Sequence, residues 1–275
     1  MAHDTPDPQR GRVSDHPPRS LHVHPLPSLV RPEDLEGGVV VAIDVLRATT
    51  TIVAALAAGC RGVIPVLTVD DARDRAKDFS RGEYLLIGER QGEPIPGFDL
   101  GNSPGDFVAD ACWDRTAICT TTNGTRAILH AARASSVLIG SFVNFSAICE
   151  ELRSGDAPIH LLCAGTNGQV SLEDMLFAGA VVEFFATGYD VGLNDSARIA
   201  WDTHEHHGHV LVAALELGAG GKRLLELGLD VDLKMAADVD RFCLVPQFDP
   251  TTGMITARTA HFDSRFFLGD SGLYG

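Results

Sequence analysis

The chain has 275 residues, 45% of them hydrophobic and 21% charged, which is long and apolar enough for a sizeable core and excludes disorder of the whole. Its formal net charge of −15 argues against DNA or RNA as partners, because phosphate backbones are bound chiefly through surplus Lys and Arg. A small anionic ligand fits that charge only through a local positive pocket made by a few Arg residues or a metal.

The six cysteines, at 60, 112, 119, 149, 163 and 243, are scattered through apolar segments without a C-x-x-C pair. That spacing suits buried free thiols in a reducing compartment better than a disulfide framework or a zinc ribbon, and a cytoplasmic address is expected. No run approaches the roughly 18 apolar residues of a membrane span, and the first 30 residues lack the apolar core of a signal peptide. No membrane partner is expected, and a homodimer is left open.

Residues 1 to about 20, with Pro6, Pro8, Pro17 and Pro18 among Arg and His, read as a disordered tail. From 21 to 275 the expectation is a single α/β domain, or two intimately packed lobes. The sheet is expected to be largely parallel or mixed, with helices on both faces. A strand over 39–43 leads to a helix over 50–58, and a strand over 62–66 leads to a helix over 69–79. A strand over 84–87 opens a long loop. Strands over 117–120, 136–139 and 160–163 lead to helices over 125–133, 145–154 and 172–187, and a helix over 194–216 follows. Cys119-Thr-Thr-Thr-Asn-Gly124 and Cys163-Ala-Gly-Thr-Asn-Gly168 echo each other as strand, polar loop and helix start, a move also made at Asp44. In parallel sheets such loops gather at the carboxyl ends of the strands, where ligands bind.

Four segments carry candidate chemistry. Asp44-Val-Leu-Arg47-Ala-Thr49-Thr50-Thr51 sets a carboxylate at a strand end and an Arg three residues on. Asp44 reads as a metal ligand or nucleophile and Arg47 as a grip on phosphate. The plainer reading pairs Asp44 with Arg47 and uses Thr49 or Thr50 as a helix cap. The second, Gly88 to Pro104, is too long for an idle loop and carries Glu89, Arg90, Asp99, Asn102 and Ser103. A solvated Ω-loop is its alternative. The third, Thr120 to Arg126, offers Thr122, Asn123 and Gly124 as an anion nest, though Asn-Gly turns also form for purely conformational reasons. The fourth, Gly165 to Asp174, ends in Glu173 and Asp174, which suit a hard cation such as Mg²⁺ or, equally, a capping box on Ser171. The cluster His204-Glu-His-His-Gly-His209 lacks H-E-x-x-H order and reads as a solvated helical segment. Leu46 stands where a haloacid-dehalogenase-type nucleophile needs its second Asp, and six residues rather than five separate Cys119 from Arg126, so neither that chemistry nor a cysteine-phosphatase loop is present.

Taken together, Asp44 to Thr51, Gly88-Glu-Arg-Gln-Gly92, Gly97-Phe-Asp-Leu-Gly-Asn-Ser-Pro104, Thr120 to Thr125, Ser141-Phe-Val-Asn144, and Cys163-Ala-Gly165 with Glu173-Asp174 resemble the 2-phosphosulfolactate phosphatase family of coenzyme M biosynthesis, in order and over most of the chain. The resemblance implies a Mg²⁺-dependent phosphoric monoester hydrolase that releases 3-sulfolactate and phosphate. On that basis Asp44, Arg47 and Arg90 are expected in catalysis. Asn102, Ser103, Thr122, Asn123, Gly124 and Asn144 are expected to bind substrate, and two or three of Asp44, Glu89, Asp99, Glu173 and Asp174 to hold metal. Gly and Met depart from the family pattern near 217–224 and 234–237. The alternatives are a phosphatase for another small phospho-carboxylic acid and a non-catalytic sensor of a phosphorylated metabolite.

Overall fold

Val39–Ile43 is an unbroken run of aliphatic residues, and it forms a strand buried on both faces, as central strands of parallel sheets are. The computed structural model describes residues 18–260. In chain order its strands are β1 (Arg19–His24), β2 (Val39–Ile43), β3 (Gly62–Pro65), β4 (Tyr84–Arg90), β5 (Glu93–Pro94), β6 (Thr116–Thr120), β7 (Ser136–Gly140), β8 (Ile159–Cys163), β9 (Val191–Leu193), β10 (Leu244–Asp249) and β11 (Met254–Thr259). Its helices are α1 (Ala48–Ala57), α2 (Val69–Ala76), α3 (Ala109–Cys112), α4 (Gly124–His130), α5 (Phe145–Arg153), α6 (Leu172–Gly188), α7 (Asp195–His207), α8 (Leu211–Leu217), α9 (Ala219–Glu226) and α10 (Asp230–Ala236).

These strands make one mixed sheet in the order β5-β4-β6-β3-β11-β10-β7-β2-β8-β1-β9. A parallel block, β4-β6-β3, is joined to a second, β7-β2-β8-β1-β9, by the antiparallel hairpin β10–β11. Three antiparallel steps make the blocks run in opposite senses. At roughly 20–25° per neighbouring pair, twist adds up to about 100° or more between β2 and β6 and turns the blocks partway back toward each other. The sheet thus wraps around α1. Ile52, Ala54 and Ala55 of that helix share one core with Ala42 of β2, Ile139 of β7, Phe248 of β10, Ile255 of β11, Val63 of β3, Cys119 of β6 and Ile87 of β4. On the other face, α5, α6 and α7 pack on Val41, Ile43 and Leu161.

The expected mixed sheet with helices on both faces is present, and the six predicted strands match observed ones. Four differences are instructive. Arg19 and Ser20, expected in a disordered tail, begin β1; the rest of that tail, residues 1–17, lies outside the described residues. Leu21 and Val23 alternate inward along β1, and Arg19 donates to the carbonyls of Leu152 and Ala157, which fixes the strand beside β8. The helix expected over 194–216 is broken by a 3₁₀ turn at Gly208–Val210, where Gly208 meets the His204 ring. The hairpin β10–β11 and the short helices α9 and α10 were not anticipated. Five cysteines are buried free thiols, but Cys243 is exposed. Among the described residues no helix is long and apolar enough to cross a membrane.

Next to the edge strand β9, His22 and His24 of β1 stand on the same face as His160 of β8, with ring centroids 5.3 to 6.3 Å apart and His24 Nε2 3.0 Å from His160 Nδ1. Burial, with His160 and His22 beside it, pushes His24 down to about 4, and burial also lowers His160. Both folded values lie below that of a free imidazole, so the stability these neutral rings confer is complete above pH about 6.5 and is lost as the pH falls toward 4. His24→Gln should therefore shrink the drop in melting temperature between pH 7 and pH 4.5. Equal drops in the variant and the natural protein, measured by thermal unfolding, would refute this assignment.

Candidate active site

Asp44 follows the last residue of β2, where the chain turns into α1. Its backbone N–H meets the Thr49 hydroxyl, and its carbonyl accepts from both the amide and the hydroxyl of Thr49. Thr50 donates to the Val45 carbonyl and Thr51 to that of Asn102. The hydroxyls thus tie the loop together while none of them caps the helix. The Asp44 carboxylate is left to accept weakly from the Ala48 N–H at 3.3 Å and to face a cleft. Gly124, at the start of α4, packs directly under it: a Cβ there would stand 2.6 Å from Asp44 Oδ2 and 2.5 Å from the Ala48 methyl.

The cleft has a volume of about 540 Å³ and is lined from six parts of the chain. Asp44, Leu46 and Arg47 come from the β2–α1 turn; Glu89, Gln91 and Gly92 from the end of β4; Asn102 from the loop beyond; Thr122 and Asn123 from the β6–α4 turn; Thr166 and Asn167 from the turn after β8. Ala219, Gly220, Arg223 and Leu224 of α9 close the remaining wall. The two echoing Thr-Asn-Gly turns meet here, with the Asn167 amide donating to Asn123 Oδ1 at 3.2 Å.

Glu89 is buried and accepts from two cleft amides, Gly92 N–H and Thr122 N–H, each at 2.7 Å. Burial, and then the charge of Glu89, raise Asp44 to about 7; Glu173 pushes the same way, while the Ala48 amide and Arg47 pull it down. Two lining oxygens, Asn102 Oδ1 and Thr122 Oγ, are buried without a hydrogen-bond partner. Arg47 does not pair with Asp44. Its guanidinium donates to Asp232 of α10 at 2.7 Å, to Ser103 Oγ at 3.0 Å and to the Gly92 carbonyl at 2.7 Å, with Ser103 also donating to Asp232. This ion pair is 4% and 5% exposed at its two side chains.

Of the residues expected to act, Asp44, Arg47, Glu89, Asn102, Thr122 and Asn123 line one cleft, and Ser103 and Gly124 pack against Arg47 and Asp44 at its wall. Five others stand elsewhere. Arg90 follows Glu89 in a strand, so the pleat sends the two side chains to opposite faces, and Arg90 is spent on the Thr120 carbonyl and hydroxyl. Asp99 is exposed and accepts from the Leu86 N–H outside the cleft. Asn144 lies beneath a 3₁₀ turn, donating to the carbonyls of Ile139 and Leu244 and tying β7 to the hairpin. Asp174, capped by Ser171, accepts from the amides of Val45 and Gly165 and so brackets two cleft loops from behind. Glu173 is buried behind α9, its carboxylate against Gly218 and Gly220, with Oε2 unpartnered. Burial raises both acids. Among the described residues no three His, Cys, Asp or Glu side chains are grouped to hold a metal; of the five candidate carboxylates, Asp44 and Glu89 share the cleft. The His204 cluster is also remote, with His204 hydrogen-bonded to Glu183.

Asp232 and Arg223 were not foreseen. Asp232 had a signal: with Leu229, Leu233 and Ala236 it falls on the inward stripe of its helix, an unusual place for an acid. Its loss would leave Arg47 buried and uncompensated, so Asp232→Ala should cost about 3–5 kcal/mol in urea unfolding. Asp44 makes the opposite case. Its folded value lies above the ordinary one, so stability falls as the pH rises from about 4 to about 7 and the penalty is complete above that. Without added cation, Asp44→Asn should therefore be more stable than the natural protein at pH 8 by on the order of 4 kcal/mol, with the gap closing by pH 4. Parallel pH-dependent melts in chelator test this.

Comparison with known proteins gives a consistent result. The family described as 2-phosphosulpholactate phosphatase matches residues 25–250. A protein of Caldanaerobacter subterraneus subsp. tengcongensis named probable 2-phosphosulfolactate phosphatase is 38% identical over 218 residues, 79% of this chain and 90% of its own. Proteins of the same name from Symbiobacterium thermophilum and Thermotoga petrophila are each 41% identical, over 78% and 75% of this chain and 93% and 87% of their own.

Proposed function

The chain belongs to the 2-phosphosulfolactate phosphatase family, and from that membership we infer that it hydrolyses 2-phosphosulfolactate to 3-sulfolactate and phosphate with the help of Mg²⁺. The observation that carries the reading is the pair of buried carboxylates, Asp44 and Glu89, at the cleft wall beside the Arg47 guanidinium. Anion binding alone gains nothing from buried negative charge, and a cation resolves it.

The donor set fits Mg²⁺. That ion takes oxygen ligands, keeps several waters, and is usually held by one or two carboxylates together with substrate phosphate oxygens. Asp44 and Glu89 would hold it, and the unpartnered Asn102 Oδ1 is a further oxygen in the same cleft. When bound it would supply positive charge to the phosphoryl oxygens. Arg47, fixed by Asp232 and Ser103, presents a pre-oriented cation to the same group, so little positioning entropy is lost on binding. Thr122 and Asn123 offer polar atoms across the cleft from it. In the reaction an oxygen nucleophile bonds to phosphorus, the P–O ester bond breaks, and the released alkoxide takes a proton. Asp44 serves this step either as the nucleophile, water then cleaving the acyl phosphate to release phosphate and restore the carboxylate, or by taking the proton of the attacking water. Hydroxylamine trapping of an acyl phosphate at Asp44 separates the two routes. The same reading sets the reaction in the cytoplasm, in keeping with five buried free thiols, and in coenzyme M biosynthesis.

The full-length protein should release phosphate from 2-phosphosulfolactate only when Mg²⁺ is present, and Asp44→Asn and Glu89→Gln should each lower kcat by about 10²–10⁴-fold. A panel of phospho-2-hydroxy acids ranks the natural substrate. Tight binding of these esters with no phosphate release at any Mg²⁺ concentration would show a sensor instead.

A further inference from the structure

We propose that Arg223 is a specificity-determining residue of this cleft, receiving the carboxylate or sulfonate of the substrate while the phosphoryl group lies toward Arg47; the inference rests on the phosphatase reading above. Two cationic side chains line the cleft among the described residues, Arg47 and Arg223, and they differ in how firmly they are held. Arg47 is locked by three hydrogen bonds of 2.7 to 3.0 Å in a buried setting. Arg223 is 44% exposed at its side chain, and its contacts with the Gln91 carbonyl, Glu93 and Glu226 are 3.3 to 3.5 Å long. Such lengths are the outer limit of a hydrogen bond, and exposed ion pairs of this kind hold weakly, so an incoming anion displaces them at little cost.

The position of Arg223 gives it a second qualification. The Gln91–Gly92 turn at the end of β4 stands between the two guanidinium groups: Arg223 reaches the Gln91 carbonyl and Arg47 the Gly92 carbonyl. A ligand carrying two anionic groups on a short carbon frame can therefore meet one Arg on each side of that turn. Ala219 and Gly220, in the first turn of the same helix, line the cleft beside Arg223, while the Glu173 carboxylate lies against Gly218 and Gly220 behind them. The acids of the cleft, Asp44 and Glu89, come from the β2 and β4 ends, and Arg223 comes from α9.

The test compares the full-length protein with Arg223→Ala and Arg223→Lys in Mg²⁺, using 2-phosphosulfolactate and isopropyl phosphate, an ester with no second anionic group. Arg223→Ala should raise KM for the first substrate roughly 10- to 100-fold with kcat within about twofold, and leave kinetics on the second unchanged. Arg223→Lys should recover part of the loss, because the charge returns without the planar fork. Equal losses on both esters, or no loss on either, would overturn the assignment while leaving the phosphatase reading intact. Binding of 3-sulfolactate, which has no phosphoryl group, is read by calorimetry independently of turnover. It should weaken at least about tenfold in Arg223→Ala, and unchanged affinity, or no binding by the natural protein, would also overturn the proposal. If the natural protein hydrolyses neither ester, the phosphatase reading fails by itself, and the calorimetric arm still decides the role of Arg223.

Discussion

Asp44 and Glu89 sit buried at one cleft wall, and the charge of Glu89 is one reason Asp44 is reluctant to ionise. Buried like charges are costly unless something compensates them. Here the protein does so only in part. Glu89 has two backbone amides, Asp44 has one long hydrogen bond, and the nearest guanidinium is committed to Asp232. The rest of the architecture holds that unfavourable pair in place: Gly124 packs against Asp44 from below, the threonine hydroxyls fasten its loop, and Asp174 brackets Val45 and Gly165 from behind. Holding two like charges buried side by side costs stability, as sites shaped for function commonly do.

The Arg47–Asp232 pair follows the opposite logic. Both charges are out of water, both are hydrogen-bonded, and Ser103 joins the two. A buried pair of this kind is weak evidence for net stability, but it fixes where a guanidinium points. It also fastens α10, a late element of the chain, to the first loop of the site. Asp232, far from any motif, thereby sets the orientation of a residue the motif contains.

Much of this was legible in the letters. The aliphatic runs at Val39–Ile43 and Ile159–Cys163 read as buried parallel strands because no polar residue interrupts them except His160. The turns after them declared themselves by Thr, Asn and Gly, and two of those turns do meet across the cleft. What failed did so for identifiable reasons. Arg90 was assigned to the site from the make-up of its loop and the family resemblance; β4, expected to end at 87, runs on through it and puts it on the face opposite Glu89. Asp99, Glu173 and Asp174 were grouped by their chemistry, although spacing alone does not tell a carboxylate that faces a cleft from one that satisfies backbone amides behind it. Arg223 stood in a stretch noticed only for what it lacked. β1 was hidden in a Pro- and His-rich stretch, where only the alternation of Leu21 and Val23 marks it.

The hairpin β10–β11 is inserted in the middle of the sheet, although it comes from near the end of the described chain. β3 and β7, made much earlier and paired on their other sides with β6 and β2, are linked to each other only through it. On a ribosome the two parallel blocks can therefore emerge, but they lack the seam that joins them until the last strands follow, and their inner edges stay open meanwhile. Such long-range closure slows folding, and it leaves a cleft lined from both blocks waiting on the synthesis of β10 and β11.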